Sequence, residues 1–148
     1  VKNEEQGSEC VFCEMVASSD DEAHLLLYRG KHNFVVLNKF PYITAHLMVV
    51  PYTHVSDLTS LEIEARSEMM ELAEMATNAI AEVYQPHGFN IGMNIGSAAG
   101  AGLADHLHLH VLPRWQGDAN FITTVGQTRI VPEDLNETFQ KLHAIFSN

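Results

Sequence analysis

The sequence predicts an α+β fold in which a mostly antiparallel sheet is combined with one long helix and a C-terminal helix. Three observations support this class: several short strand-like segments, one long segment with apolar residues at helical spacing, and a second helical pattern at the end of the chain. The chain has 148 residues, of which 46% are hydrophobic. A chain of this size buries a full core as one domain. We therefore assign residues 9–148 to a single domain and residues 1–8 to a flexible N-terminal segment.

Three strands are predicted early in the chain, over residues 25–29, 33–38 and 45–51. Turn signals at Gly30-Lys31 and Lys39-Phe40-Pro41 separate them. Strands joined by such short connections are typical of an antiparallel meander.

The long helix is predicted to begin with a capping box, in which Thr59 is followed three residues later by Glu62. The run Pro86-His87-Gly88 is predicted to end the helix. Between these signals, apolar residues recur at helical spacing, namely Leu61, Ala65, Met69, Leu72, Ala76, Ile80 and Val83.

The second half of the chain contains two further strands and the final helix. Residues 89–95 are predicted to form a strand, and a loop of small residues follows over positions 96–102. A loop so poor in side chains lets the backbone approach a ligand closely, although a flexible connection would have the same composition. Pro132 is predicted at the first position of the C-terminal helix. The apolar residues of that helix are Leu135, Phe139, Leu142 and Ile145.

The most informative stretch is the run from His106 to His110, in which three histidines alternate with leucines. Strand side chains point to opposite faces in turn, so the three imidazoles are expected to line one face about 7 Å apart while the leucines enter the core. Three buried imidazoles without a function would each need hydrogen-bond partners. Catalysis or metal binding by the histidines is therefore favoured over a structural role.

The formal net charge of −11 argues against nucleic acid or an anionic membrane as a partner, since both need clustered Lys and Arg. A small anionic substrate would be held by local donors such as backbone N–H groups, imidazoles and Arg114. No apolar run approaches the roughly 20 residues of a membrane span, and the polar start of the chain has no signal-peptide pattern. We expect a cytoplasmic protein.

The only two cysteines form the pair Cys10-x-x-Cys13. In a chain without a signal peptide, this pair indicates metal binding or thiol redox chemistry more than a structural disulfide. The sequence around it has no helix-starting pattern, which weakens the redox interpretation.

The histidine run followed by apolar residues resembles the motif of the histidine triad superfamily. Further elements of that family occur in order: residues 38–46, residues 50–54, the long helix, residues 94–96 and the small-residue loop. Together they cover roughly residues 10–115. Residues 113–121 look like the bacterial diadenosine tetraphosphate phosphorylase branch of the superfamily, so the resemblance implies a histidine triad fold and chemistry on nucleotides.

The resemblance implies nucleotidyl transfer in which His108, the middle histidine, attacks the α-phosphorus of a nucleoside polyphosphate and forms a covalent intermediate. Its other ring nitrogen is expected to donate to a backbone carbonyl, which fixes the tautomer. His106 and His110 complete the triad. The donors to the phosphoryl oxygens are expected among His110, Asn94 and the backbone N–H groups of residues 100–103, including Gly100, Gly102 and Leu103.

Asn38 occupies the position at which the family binds the ribose hydroxyls, although its sequence context equally fits a turn residue. His46 matches a family position and is interpreted as a residue that packs or supports the site. The remaining histidines are expected at the surface, namely His24, His32, His87 and His143.

The chain departs from the small hydrolases of the superfamily, which carry Gln followed by Ser or Thr where this chain has Gly102 and Leu103. We therefore expect phosphorolysis of diadenosine tetraphosphate to ADP and ATP, with Arg114 and the backbone of residues 100–103 holding the attacking phosphate. The alternatives are a hydrolase that releases AMP and a zinc-stabilised nucleotide-binding module with slow turnover.

The resemblance also implies a structural zinc ion bound by Cys10, Cys13, His54 and His106, a set of four ligands that leaves no open position. A hydrolytic metal centre on the triad itself is disfavoured, because neighbours along a strand rarely converge on one ion. No organic cofactor is expected. By resemblance, the protein is a homodimer that pairs through the long helix and an adjoining strand.

Overall fold

The computed structural model describes residues 10–101, 106–118 and 133–148. The helices are α1 (Val11–Ala17), α2 (Ile63–Tyr84) and α3 (Leu135–Phe146), and the strands are β1 (Leu26–Arg29), β2 (Asn33–Leu37), β3 (Leu47–Pro51), β4 (Gly88–Gly92) and β5 (Leu109–Arg114). A short 3₁₀ turn covers Ser97–Ala99. The predicted α+β class is confirmed.

The five strands form one antiparallel sheet in the order β1-β2-β3-β5-β4. Strand β5, the last strand among the described residues, is thus inserted between β3 and β4. Its Val111 pairs with Leu47 of β3 on one side and with Ile91 of β4 on the other. This central position fixes the residues that precede β5 against the middle of the sheet.

Both faces of β2 and β3 are buried. One face carries the main core, in which Val35, Val49 and Leu109 pack with residues of α2 and α3. The opposite face of β2 and β3 packs on Phe12 and Met15 of α1 in a second apolar cluster. Every residue of β2 and β3 is therefore buried, because the side chains of successive strand residues enter the two clusters in turn.

Helix α1 was not predicted. Cys10 is its N-cap and accepts a hydrogen bond from the backbone N–H of Cys13 through its sulfur. At the other end of the helix, the guanidinium of Arg29 donates to the carbonyls of Val16 and Ser18. A seven-residue helix is too short to be stable by its own hydrogen bonds, so tertiary contacts at both ends hold it.

Helix α2 begins at Ile63, so the capping box predicted at Thr59 is wrong. The carboxylate of Asp57 accepts from the N–H of Ser60 and closes a turn before the helix. Glu62 becomes the N-cap, without a side-chain capping bond. The predicted end before Pro86 is confirmed, because α2 stops at Tyr84.

Helix α3 begins at Leu135, after the N-cap Asp134, whose carboxylate accepts from the N–H of Asn136. The prediction that Pro132 occupies the first helical position is therefore wrong, and Pro132 itself lies outside the described residues. Strand β4 ends at Gly92, three residues before the predicted end.

No helix within the described ranges is both long and apolar enough to cross a membrane. The predicted flexible segment over residues 1–8 lies outside the described residues.

Candidate active site and metal centre

His106 and His108 lie immediately before β5, which begins at Leu109, so the prediction of a regular strand through all three histidines is wrong. The N–H of Leu107 donates to the carbonyl of Val55 at 2.7 Å, and the carbonyl of His106 accepts from a side chain, so neither group joins the sheet ladder. The alternation of side chains is nevertheless confirmed. Leu107 and Leu109 enter the main core, whereas His106 and His108 do not.

His108 is buried, and its Nδ1 lies 2.9 Å from the carbonyl oxygen of His106. A carbonyl oxygen only accepts hydrogen bonds, so Nδ1 carries the proton and donates it. In the neutral ring, Nε2 then holds the free lone pair. The expected backbone partner of His108 is present.

His110 is held by His46, which lies in the segment before β3 and is fully buried. The Nδ1 atom of His46 lies 3.3 Å from two nitrogen donors, the backbone N–H of Tyr42 and the side-chain amide of Asn38. His46 therefore accepts at Nδ1 and carries its proton at Nε2, which donates to Nδ1 of His110 at 2.8 Å. His110 in turn carries its proton at Nε2, where it serves as a hydrogen-bond donor.

Both histidines of this pair are held in the neutral form. Burial, followed by the charges of His110 and His108, lowers the pKa of His46 to about 3. Burial, followed by the charge of His108, lowers the pKa of His110 to about 4. The tautomers set by the hydrogen bonds therefore persist at neutral pH.

The low pKa of His46 predicts a loss of stability in mild acid. As the pH falls below about 6.5, the unfolded chain takes up a proton at His46 that the folded protein binds only near pH 3. Stability should therefore decrease as the pH falls from about 6.5 to about 3, with His46 contributing up to about 1.4 kcal/mol per pH unit. Urea unfolding of the wild type and His46→Gln measures this contribution, since the slope should be smaller in the variant. Equal slopes in the two proteins would contradict it.

The four side chains predicted to bind zinc come together, with one ligand atom from each of Cys10, Cys13, His54 and His106 and all four atoms within 4.8 Å of one another. The sulfur of Cys10 lies 3.2 Å from Nδ1 of His106. The sulfur of Cys13 lies 3.3 Å from Nδ1 of His54 and 3.7 Å from Nδ1 of His106.

These distances fit a tetrahedral zinc ion. Zn–S bonds of about 2.3 Å and Zn–N bonds of about 2.0 Å at tetrahedral angles place sulfur and nitrogen roughly 3.5 Å apart. Burial, followed by the neighbouring Cys10, raises the pKa of the Cys13 thiol to about 11, so a bound cation would be needed to hold the Cys13 sulfur as a thiolate at neutral pH. The chemistry and the spacing of the donor set both fit zinc.

His106 is oriented toward the cysteines and not toward a substrate. Its Nε2 lies 2.8 Å from the carbonyl of Pro51, so this nitrogen donates, and Nδ1 presents its lone pair to the sulfurs. A ligating histidine that donates its other N–H to a backbone carbonyl is the usual arrangement at metal sites. The ring of His106 thus belongs to the candidate metal-binding set, and its carbonyl accepts the hydrogen bond from His108.

The predicted substrate-binding residues have different positions. Asn38 forms a turn, because its Oδ1 accepts from the N–H of Phe40 at 2.9 Å while its amide faces His46. Asn94 is exposed two residues beyond β4, whose Gly92 pairs with His110. Gly100 has φ +86°, a left-handed conformation that favours glycine, and follows the 3₁₀ turn. Gly102 and Leu103 lie outside the described residues.

The structure does not bring Arg114 to the histidines within this chain. Arg114 is six residues further along the chain than His108, which corresponds to roughly 20 Å of extended backbone. Its guanidinium forms a bidentate pair with Asp118 at 2.7 and 2.8 Å and donates to Asn90 at 2.7 Å. The described contacts of the Arg114 guanidinium are thus with Asp118 and Asn90, and its binding of the attacking phosphate stays a prediction.

Two contacts of the site were missed in the sequence. Phe12 packs against the rings of His106 and His108, and Tyr42 stacks on His46 with the ring centroids 5.1 Å apart. In the sequence, the contact of Phe12 with the site was indicated only by its position between the candidate metal ligands Cys10 and Cys13. Sequence spacing gave no indication of the contact between His46 and His110, which are 64 residues apart.

The comparisons with known proteins agree with this geometry. A family model described as HIT domain matches residues 20–117. The chain is 48% identical over 127 residues to a protein of Mycobacterium tuberculosis named AP-4-A phosphorylase. That match covers 86% of this chain and 65% of the relative, so the chain spans slightly less than two thirds of the relative's length.

Solved structures extend the similarity to the fold. A crystal structure of a Zn-bound histidine triad family protein from Mycobacterium smegmatis has a TM-score of 0.77 and 31% identity, and the alignment covers 95% of both chains. A HIT family protein from Bacillus anthracis has a TM-score of 0.66 and 27% identity, with 94% of this chain and 93% of that chain covered.

Proposed function

Because this chain belongs to the HIT domain family, we propose that it is an enzyme that transfers a nucleotidyl group from a nucleoside polyphosphate to phosphate through a covalent intermediate on His108. We propose diadenosine tetraphosphate as the substrate and ADP and ATP as the products. The similarity to the relative named AP-4-A phosphorylase supports this choice of substrate.

The observation that carries the proposal is the hydrogen bond from Nδ1 of His108 to the carbonyl of His106. It leaves the lone pair of Nε2 available as a nucleophile without a separate base. In the first step, this lone pair attacks the α-phosphorus of one adenosine, and the bond to the bridging oxygen breaks. ATP leaves with the electron pair of that bond, and adenylate remains on Nε2.

His110 is the second part of the proposal. With its Nδ1 occupied by His46, its Nε2–H donates to a phosphoryl oxygen, where negative charge must be stabilised during the transfer. His46 orients this donor and does not itself contact the substrate. Asn38, whose side-chain amide contacts His46, is the proposed ribose-binding residue, a role that rests on the family resemblance.

In the second step, an oxygen of inorganic phosphate attacks the phosphorus of the adenylate, and the bond to Nε2 of His108 breaks. The ring recovers its lone pair, and ADP is released. Zinc held by Cys10, Cys13, His54 and His106 would supply a structural crosslink between α1 and the residues that precede β5.

The acceptor is tested by incubation with diadenosine tetraphosphate in the presence and absence of millimolar phosphate. We expect ADP and ATP, formed faster with phosphate, because a phosphate held in an attacking geometry has an advantage of about 7–11 kcal/mol over an unpositioned nucleophile, which outweighs the higher concentration of water. The products are separated by anion-exchange chromatography. AMP and ATP formed at a rate independent of phosphate would identify a hydrolase, and binding without turnover would identify a nucleotide-binding module.

A further inference from the structure

The ring of His108 needs more than its hydrogen bond to be held in one orientation. The bond from Nδ1 to the carbonyl of His106 fixes the tautomer and the position of one ring atom. The plane of the ring, and with it the direction of the lone pair on Nε2, depends on the groups that pack against it. Attack on phosphorus must be roughly in line with the leaving oxygen, so this direction affects the rate.

Among the described residues, two rings pack against His108. The centroid of His110 lies 4.8 Å away at an interplanar angle of 72°, and the centroid of Phe12 lies 5.2 Å away at 46°. Phe12 also packs against His106, with the centroids 5.3 Å apart. Phe12 is only 1% exposed, so it fills a closed position against both histidines.

Phe12 is carried by the metal-ligand segment. It lies between Cys10 and Cys13, whose sulfurs face His106 and His54. Helix α1 is too short to be stable alone, so the contacts of the two cysteines are among those that hold Phe12 in position. A shift of the segment would move Phe12 away from His108 without changing the chemical groups of the active site.

We propose that Phe12 is a positioning residue for His108, and that the metal state of Cys10 and Cys13 controls the rate of nucleotidyl transfer through Phe12. This inference rests on the proposed function of His108 as the nucleophile. It assigns to the metal centre a kinetic effect on the neighbouring site, although the centre has no open position for substrate.

The main test compares Phe12→Leu with Phe34→Leu in metal-loaded protein. Phe34 is a matched control, since it is fully buried in the same apolar cluster but belongs to β2 and packs on Phe12 and Tyr52. Phe12→Leu should lower kcat between about tenfold and a hundredfold, as expected for a small misplacement of a reacting group, with KM for the dinucleotide nearly unchanged. Phe34→Leu should cause a similar loss of thermal stability but little loss of kcat. Phe12→Met replaces Phe12→Leu if the leucine variant does not fold.

A second measurement reads the orientation of His108 without turnover. The NMR signals of the His108 ring should move in Phe12→Leu and remain in place in Phe34→Leu, because Phe12 contacts the His108 ring whereas the ring contacts of Phe34 are with Phe12 and Tyr52. Removal of metal from the wild type by a chelator should move the same signals, and zinc should restore them. These signals can be recorded whatever reaction the protein catalyses. Failure of the proposed function can therefore be distinguished from failure of the inference about Phe12. Unmoved His108 signals, or equal losses of kcat in Phe12→Leu and Phe34→Leu, would overturn the inference.

Discussion

Substitution of His108 by alanine is expected to lower kcat for diadenosine tetraphosphate by several orders of magnitude. The variant removes the imidazole whose Nε2 lone pair attacks phosphorus. Alanine has no nitrogen in its side chain that could replace it. Binding of the dinucleotide should remain within a few-fold of the wild type, because the nucleophile acts in the chemical step. Rapid-quench kinetics and calorimetric titration measure the two effects separately.

The control for this prediction is His24→Ala. His24 precedes β1, which β2 and β3 separate from β5 in the sheet, so its removal should leave kcat unchanged. Mass spectrometry of wild type quenched during turnover should detect an acid-labile nucleotidyl adduct on His108. His108→Ala should also retain its metal, since the ring of His108 is not part of the ligand set. Substantial residual turnover in His108→Ala would show that the nucleophile is another group.

Substitution of Cys13 by alanine is expected to remove the metal and to lower the free energy of unfolding by several kcal/mol, as at other structural zinc sites. The sulfur of Cys13 faces both His54 and His106, so its loss leaves an incomplete set. Helix α1 then loses the attachment at its N-terminal end, and the buried side chains of Phe12 and Met15 lose their fixed position. Metal analysis and urea unfolding measure the two effects.

Glu14→Ala is the matched control for Cys13→Ala. Glu14 is the next residue of α1 and is exposed, so its substitution should leave about one zinc per chain and nearly normal stability. Wild-type protein purified without metal, with full stability, would refute the zinc site. The proposed role of His108 as a nucleophile would be unaffected by that result.

The sequence predicted those features that depend on local patterns. The alternation of histidine and leucine before β5 correctly placed Leu107 and Leu109 in the core. The helical spacing from Ala65 to Ile80 correctly predicted the buried side of α2. Burial follows the geometric period of each element, so a few neighbouring residues are sufficient to reveal it.

The resemblance to the histidine triad superfamily predicted more than periodicity could. It brought together Cys10 and His106 as candidate ligands of one ion, and the structure places them 3.2 Å apart although 96 residues separate them. It also indicates His108, the middle histidine of the motif, as the nucleophile. In both cases the information lay in a motif and not in local physical chemistry.

The tertiary structure alone decided how these side chains are oriented. The pairing of β2 with β3 and of β3 with β5 brings His46 to His110, which sets the tautomer of His110. Docking of α1 on the sheet places Phe12 against His108. The same structure directs Arg114 to Asp118 and away from the histidines of its own chain. Local sequence determines which helix or strand a residue joins. Strand register and the packing of distant segments determine which atoms contact each other, and the proposed chemistry depends on these contacts.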